Sequence, residues 1–528
     1  MRGLFRPCAK PRPRLAESDA MSSEVSHAAP HQPARPATAG TQATPTGETG
    51  VTAGAAGTMN AAMKAAASPG AGEIEIDAAL IERFGGRAPR YTSYPSADRF
   101  HAGFGPADYR QAIVERAGRR GSPLGLYFHI PFCRRICYYC ACNKIGSRHQ
   151  ESSAQYLDAL DTELRLVGGL LGSRQDISHL HFGGGTPTFM LDEELERLFG
   201  LIDRHFDRAA DGEYSIEVDP RTVDRERLRM LRNIGFNRVS LGVQDFDEEV
   251  QRAVNRIQPY EETLALMQAV REHGFRSMNV DLIYGLPKQR IEGFERTIER
   301  VVAAAPDRVA LYQYAHLPQL FKPQRRIHEE DLPDADTRAE LFARAVARFR
   351  AAGYVYLGLD HFARHDDELA IAQREGRLHR NFQGYAAHAA GDLLAFGVSA
   401  IASVGDVYAQ NDKGLPAYYA RLAEGELPTA RGIRLDADDR IRRDAIQSLM
   451  CDFRLDVRAL ERRHGLAEGY LDDALQRLVP MDRAGAIRLG PDGIQVLPRG
   501  RLLVRAVAMQ FDRYLQQAPA AGTYSKLA

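Results

Sequence analysis

The chain has 528 residues, 69 Lys plus Arg against 69 Asp plus Glu, and 44% hydrophobic residues. A formal net charge of zero gives no sign of a nucleic-acid partner, and no apolar run is long enough to cross a bilayer as a helix. Six cysteines in so long a chain are not a disulfide scaffold; their clustering points to a metal in a reducing compartment, hence the cytoplasm.

Residues 1–73 are dominated by Ala, Pro, Gly, Thr and Ser. Such a segment buries too little apolar area to offset its ordering entropy and reads as a disordered tail. Its basic opening, MRGLFRPCAKPRPR, lacks the continuous apolar stretch of a secretory signal. A start at Met21, Met59 or Met63 is the competing reading, and Cys8 is a bystander thiol. Residues 74–122 form an N-terminal elaboration.

From residue 124 a pattern repeats. LGLYFHI reads as a strand, and the helix after it places Leu157, Leu160, Leu164, Val167 and Leu171 on one face. Five further strands follow, ISHLHF, YSIEV, RVSLGV, MNVDLIY and RVALYQY, with an amphipathic helix after each of the first four. Strands alternating with helices mean right-handed crossovers and a parallel α/β sheet, open or closed into a partial barrel. The strand faces favour the barrel. Tyr214, Ile216 and Val218 oppose Ser215 and Glu217; Val239, Leu241 and Val243 oppose Ser240 and Gln244; Val280 and Leu282 oppose Asn279 and Asp281. Helices cover the apolar faces, so the polar ones line a cavity, where an ordinary barrel packs Val, Ile and Leu. Unusual residues collect where strands end: cysteines after the first, Gly183-Gly184-Gly185-Thr186-Pro187 after the second, Glu217 and Asp219 at the third, Gln244 at the fourth. Chemistry sits at that rim in such folds. The catalytic domain spans 123–430. Residues 431–528 read as a smaller, mainly helical domain, with Cys451 a buried structural thiol.

HIPFCRRICYYCACNKI, residues 129–145, holds Cys133, Cys137, Cys140 and Cys142. Structural zinc uses paired knuckles far apart in sequence, whereas iron–sulfur clusters take local runs. The Cys-x3-Cys-x2-Cys spacing, the aromatic Tyr139 before the third cysteine and GGGTP strongly resemble the radical S-adenosylmethionine enzymes. PRYTSYP, YFHIPFC, SIEVDPR, GVQDF, NVDLIYGLPKQ, LDHFAR and LHRNFQGY carry the resemblance further, to the oxygen-independent coproporphyrinogen III oxidases, from about residue 77 onward.

That resemblance implies a partial (β/α)6 barrel, a 4Fe-4S cluster on Cys133, Cys137 and Cys140, and two molecules of S-adenosylmethionine. The first would meet Tyr127, Gly184, Glu217 and Ile401; the second Tyr139, Gly185, Thr186, Gln244, Arg256, Asp281 and Ala315. His129, Phe382, Gln383 and Cys142 match residues linked to activity, Cys142 not as a ligand. The implied reaction is removal of a hydrogen from a propionate by a 5′-deoxyadenosyl radical, with loss of carbon dioxide and an electron to leave a vinyl group, on two propionates of coproporphyrinogen III. The resemblance also implies a monomer, a flavodoxin-like or ferredoxin-like electron donor and an unidentified acceptor. Arg90, Lys144 and Arg380 are nominated for the substrate carboxylates. Rival readings are a haem chaperone, a structural zinc protein and a radical enzyme acting on another tetrapyrrole. The chain has no Trp, which the chaperones' motif requires.

Overall fold

The computed structural model describes residues 73–517, apart from 120, 122–123 and 388–390, together with residue 524. The expected tail, with Cys8, lies outside the described residues but for its last position.

All six expected strands form. β1 (Leu124–Ile130), β2 (Gln175–Gly184), β3 (Phe206–Val218), β4 (Arg238–Gln244), β5 (Ser277–Tyr284) and β6 (Arg308–Gln313) lie side by side in chain order, each neighbouring pair parallel. The crossovers carry α1 (Glu151–Leu171), α2 (Asp192–His205), α3 (Arg225–Ile234), α4 (Tyr260–Glu272) and α5 (Ile291–Ala304). Leu157, Leu160, Leu164, Val167 and Leu171 of α1 are all buried. Each such side chain contributes about 1.5–3 kcal/mol by leaving water. Ile216, Leu241, Val280 and Leu282 are fully buried beneath the helices. Ser215, Glu217, Ser240, Asn279 and Asp281 line a cavity on the other face.

The sheet runs beyond these six, to twelve strands. Past β6 lie β8 (His361–Arg364) and then β7 (Tyr354–Gly358), both antiparallel. A hairpin of β9 (His379–Asn381) and β10 (Gly384–Ala386) stands apart. On the free side of β1, β11 (Asp392–Phe396) pairs parallel, followed by antiparallel β12 (Ile401–Val404), β13 (Val407–Asn411) and β14 (Thr429–Arg434). Every residue of β11 and β13 is buried. Strands covered on both faces show no alternation, so β11 and β13 carry no legible period, and the four residues of β12, which alternate in burial, are too few to show one. Beyond residue 434 the chain is mainly helical, led by α7 (Ala437–Asp452, α6 being Ala335–Ala351), and it includes a small antiparallel sheet of β15 (Arg454–Asp456), β17 (Gly493–Val496) and β16 (Ile487–Gly490). Cys451 is buried in α7.

Helix α1 fastens the seam where β11 joins β1. The carboxylate of Glu163 accepts from Gly397 N–H at 2.8 Å, the Tyr418 hydroxyl at 2.7 Å and Asn411 Nδ2 at 2.7 Å. Tyr156 donates to the His129 carbonyl at 2.7 Å and accepts from Val398 N–H at 2.9 Å. A Cβ at Gly397, whose φ is +97°, would stand 2.3 Å from the Tyr156 hydroxyl, so glycine is required there.

Burial pushes Glu163 from 4.5 up to about 7 despite its three donors. A carboxyl raised in the folded state stabilises below its unfolded pKa, and that contribution is lost as pH rises through the folded value. Urea unfolding will therefore show the parent losing up to roughly 3 kcal/mol relative to Glu163→Gln as pH rises across that interval.

Candidate active site

The cysteine loop leaves β1 at Ile130 and is closed by its own backbone. Ile145 N–H donates to the Pro131 carbonyl at 2.7 Å, and Ser147 N–H to Cys133 at 3.0 Å. Three outside tethers fix its crown: Tyr138 N–H to the Val254 carbonyl at 3.0 Å, Asn255 Nδ2 to Ile136 at 2.9 Å and Gln324 Nε2 to Tyr139 at 2.9 Å. All four thiols are unpaired; Cys133 and Cys137 are buried, Cys140 half-buried and Cys142 exposed.

Cations face this loop. Arg221 Nη2 and Arg256 Nη1 donate to Cys137 Sγ at 3.5 and 3.4 Å. Lys144 Nζ donates to the carbonyls of Cys140 and Cys142 at 2.8 and 3.3 Å. Cys133 Sγ lies 3.4 Å from Thr186 Oγ1. Asp219 organises the guanidinium pair, at 2.7 Å from Arg221 and 3.1 Å from Arg256. Burial opposes its ionisation, but Arg256 and Arg221 win and hold it at about 2. Three free thiols on one loop under buried positive charge fit the thiolate ligands of a 4Fe-4S cluster, whose net charge needs compensation. Among the described residues no three His, Cys, Asp or Glu side chains close on a single point. A cubane asks for no such convergence, since each thiolate binds a different iron.

The glycine run has a reason within the protein. A Cβ at Gly183 would lie 2.9 Å from the Glu217 carboxylate, at Gly184 (φ +115°) 2.7 Å from the His129 ring, and at Gly185 2.5 Å from the Pro131 carbonyl. The three glycines let a carboxylate, an imidazole and the cysteine loop press against the end of β2.

Behind the loop the barrel encloses about 190 Å³, lined by Glu217, Ser240, Asn279, Asp281, Tyr312 and Gln383 among others. Glu217 accepts from Gly184 N–H at 3.1 Å and from His181 Nε2 at 3.3 Å; His181 Nδ1 in turn lies 2.6 Å from Ser215 Oγ. Burial would raise the Glu217 pKa, but His181 and the Gly184 N–H keep it below its ordinary value. The carboxylate is thus a ready partner for a cationic amine, and 45% of its side chain is accessible. The Tyr127 ring stacks on His181 at 5.8 Å, and its hydroxyl donates to His129 Nδ1 at 3.0 Å. His129 Nε2 donates to the Asn143 carbonyl at 2.9 Å, which assigns the neutral tautomer; burial lowers its pKa. Asp281 accepts from Ser240 and Asn279 at 3.0 and 2.8 Å; burial, then the charge of Glu217, pushes it up to about 6. At the floor, where the strands have their amino ends, Arg238 pairs with Glu213 and Glu368, and Arg308 with Asp367.

β4 ends in a bulge with Gln244 at φ +68°. Arg256 Nη2 donates to the Gly242 carbonyl at 2.5 Å, which brings Gln244 and Arg256 together. Buried Gln324 also donates to the Ala315 carbonyl at 3.1 Å, joining Tyr139 and Ala315. Gln383 reaches the barrel cavity, where its Oε1 is buried without a hydrogen-bond partner. Phe382 and Ile401 belong to a separate apolar group with Phe100 and Tyr408, Phe382 lying edge-on to Tyr408 at 5.9 Å. Of the nominated carboxylate partners, Arg90 pairs with Asp360 and Arg380 lies 4.7 Å over the Tyr385 ring. Sequence reasoning passed over Arg221, His181 and Gln324. Arg221 was within reach, two residues after Asp219 in SIEVDPR. Gln324 sits in a short 3-10 helix, Lys322–Arg326, too brief for a period to mark it. Anaerobic reconstitution followed by iron and sulfide analysis should find a full cluster in the parent and in Cys142→Ser, and little iron in Cys133→Ser, Cys137→Ser or Cys140→Ser.

Residues 127–301 match the family model of the Radical SAM superfamily. Oxygen-independent coproporphyrinogen III oxidase from Salmonella typhimurium is 48% identical over 457 residues, 86% of this chain and 99% of that protein. The enzyme of the same name from Synechocystis is 42% identical over 84% of this chain and 96% of its own. A solved structure of coproporphyrinogen III oxidase (HemN) from Escherichia coli, a radical SAM enzyme, aligns with a TM-score of 0.80 at 47% identity, over 84% of this chain and all of that one. By sequence, fold and the placement of its cysteine loop, the chain belongs to the oxygen-independent coproporphyrinogen III oxidases of the radical SAM superfamily.

Proposed function

We infer that the chain oxidatively decarboxylates two propionate side chains of coproporphyrinogen III to vinyl groups, giving protoporphyrinogen IX in haem biosynthesis. The observation that carries this reading is the cysteine loop, backed by Arg221 and Arg256, at the mouth of a barrel whose interior is polar and walled. When bound and reduced, the 4Fe-4S cluster supplies the cleavage of S-adenosylmethionine to methionine and a 5′-deoxyadenosyl radical.

The chain's own residues hold and shield the reactants. Cys133, Cys137 and Cys140 are the cluster ligands. Ionised Glu217 takes the methionine amino group beside Gly184, with Tyr127 and Ile401 completing the first S-adenosylmethionine site. Tyr139, Gly185, Thr186, Gln244, Arg256, Asp281 and Ala315 form the second; Gln324, which bridges Tyr139 and Ala315, supports that grouping. Burial lowers the pKa of His129, so its ring links Tyr127 to the Asn143 carbonyl without adding charge near the cluster. Gln383 offers an unpaired acceptor in the cavity. Phe382 acts from its apolar group beside β9, and Cys142 from the exposed edge of the loop. The ion pairs at the floor hold the amino ends of the strands together, opposite the cysteine loop.

The exposed Arg134, Arg135, Arg148 and Arg326 around the loop support a small acidic donor such as flavodoxin or ferredoxin. No described helix is long and apolar enough to cross a membrane. The reading includes a cytoplasmic monomer, a catalytic domain at 123–430, an elaboration at 74–122, a C-terminal domain at 431–528 and a tail at 1–73.

The deciding assay is anaerobic: reduced holoenzyme, S-adenosylmethionine, coproporphyrinogen III and a cell extract as electron acceptor, following 5′-deoxyadenosine and protoporphyrin together. Both products are expected from the parent and neither from Cys137→Ala. 5′-Deoxyadenosine without protoporphyrin would overturn the substrate. Equilibrium dialysis should count two S-adenosylmethionine molecules per chain, and Glu217→Gln should weaken the first site about tenfold, the loss of one charge-assisted hydrogen bond.

A further inference from the structure

The turn that leaves β4 is built around buried polar side chains that the reaction itself does not use. Asp245, Gln251, Gln258, Gln289 and Thr297 are each no more than 4% exposed. The Asp245 carboxylate accepts from Thr297 Oγ1 at 2.6 Å, from Gln289 Nε2 at 2.7 Å and from Asp247 N–H at 2.8 Å. Thr297, on α5, accepts in turn from Phe246 N–H at 3.1 Å. Gln289 Oε1 accepts from Gly285 N–H at 2.6 Å, which ties the end of β5 to the end of β4. Gln251 Nε2 donates to the carbonyls of Asp245 and Gln258, both at 2.9 Å.

Apolar packing would close such a turn at lower cost. A carboxylate taken out of water is expensive, and no ion pair among the described residues offsets Asp245; burial pushes its pKa up to about 6. What the polar network adds is direction, since each hydrogen bond fixes where one group stands. Two side chains receive it. Gln244 lies between the anchored Asp245 and Val243, whose carbonyl accepts from Asp245 N–H at 2.9 Å and from Gln258 Nε2 at 2.6 Å. Its φ of +68° is one that a residue with a side chain keeps only where its surroundings impose it. Arg256 N–H donates to the Gln251 carbonyl at 2.8 Å, which sets the base of the side chain that reaches Gly242 and Cys137. The residues expected at the first S-adenosylmethionine molecule bond elsewhere, Glu217 to Gly184 and His181, and Tyr127 to His129.

We propose that Asp245, Gln289 and Thr297 are positioning residues of the second S-adenosylmethionine site, holding Gln244 and Arg256 in the arrangement that takes up the molecule. The assignment rests on the reading of two S-adenosylmethionine sites and deepens it. The network acts on one site and leaves the other alone.

The test is equilibrium dialysis of S-adenosylmethionine against the anaerobically reconstituted holoenzyme, with Thr297→Val, Asp245→Asn and Thr297→Ser. Thermal melting and iron and sulfide content are measured for each. Thr297→Val keeps the shape of the side chain and removes its hydroxyl; Thr297→Ser keeps the hydroxyl. The parent should bind two molecules. In Thr297→Val and Asp245→Asn one of the two affinities should fall about tenfold while the other affinity and the iron content hold, and Thr297→Ser should keep both. Adding Thr297→Val to Glu217→Gln should weaken both sites, which identifies the affected one as the second. Two unmoved affinities in folded, iron-replete Thr297→Val and Asp245→Asn would overturn the proposal. So would a parallel fall of both affinities with the melting temperature, which would leave the network a structural role alone. A parent that binds one molecule sinks the two-site reading and this assignment with it, whereas a two-site parent with insensitive variants sinks only this assignment.

Discussion

Asp219 holds two guanidinium groups at the mouth of the barrel, and their charge falls on Cys137. The rest of the site depends on that arrangement. Arg256 is 6% exposed, and a buried cation without a partner would cost several kcal/mol. The pair is possible only because β3 and β4 meet in one register, with Glu217 opposite Ser240 and Val218 opposite Leu241. A slip of one residue would drive Val218 into the cavity and Glu217 beneath the helices. Hydrophobic burial on the helix side therefore fixes where the charges stand on the cavity side.

The barrel interior obeys a second constraint. A chamber for a ligand cannot be filled by Val, Ile and Leu, yet polar groups left alone inside a protein are costly. The chain meets both demands by pairing them. Arg238 and Arg308 are matched with Glu213, Glu368 and Asp367 at the floor, and Asp281 is held by Ser240 and Asn279 higher up. Glu217, near the mouth, is paired too but keeps nearly half of its side chain accessible, and an exception is Gln383, whose Oε1 is buried without a partner.

The six βα units and the inward polar row were legible because each strand has one face under helices and one toward the cavity, which writes a period of two into the sequence. The cysteine loop was legible from spacing alone. β11 and β13 were not, since burial on both faces erases alternation. The glycine run was recognised, but its collisions with Glu217, His129 and Pro131 depend on three-dimensional closeness that no local pattern encodes. Gln324 was invisible for the same reason, being an isolated side chain in a 3-10 helix too short to show a period. Phe382 and Ile401 were named through the resemblance, and the apolar group that unites them draws on Phe100 and Tyr408 from distant parts of the chain.

The position of β1 has a consequence for how the molecule is made. β1 carries the cysteine loop, yet one of its two neighbours, β11, is translated only after the entire run from β2 to β10. Until Asp392–Phe396 leaves the ribosome, β1 has an unpaired edge, and Glu163 and Tyr156 lack the Gly397, Val398 and Asn411 groups they bind. The nascent chain thus holds its thiols on a half-finished strand through about half of synthesis. The seam beside the cluster loop closes late, and iron delivered earlier would meet a loop whose supporting strand is still open to solvent and to other chains.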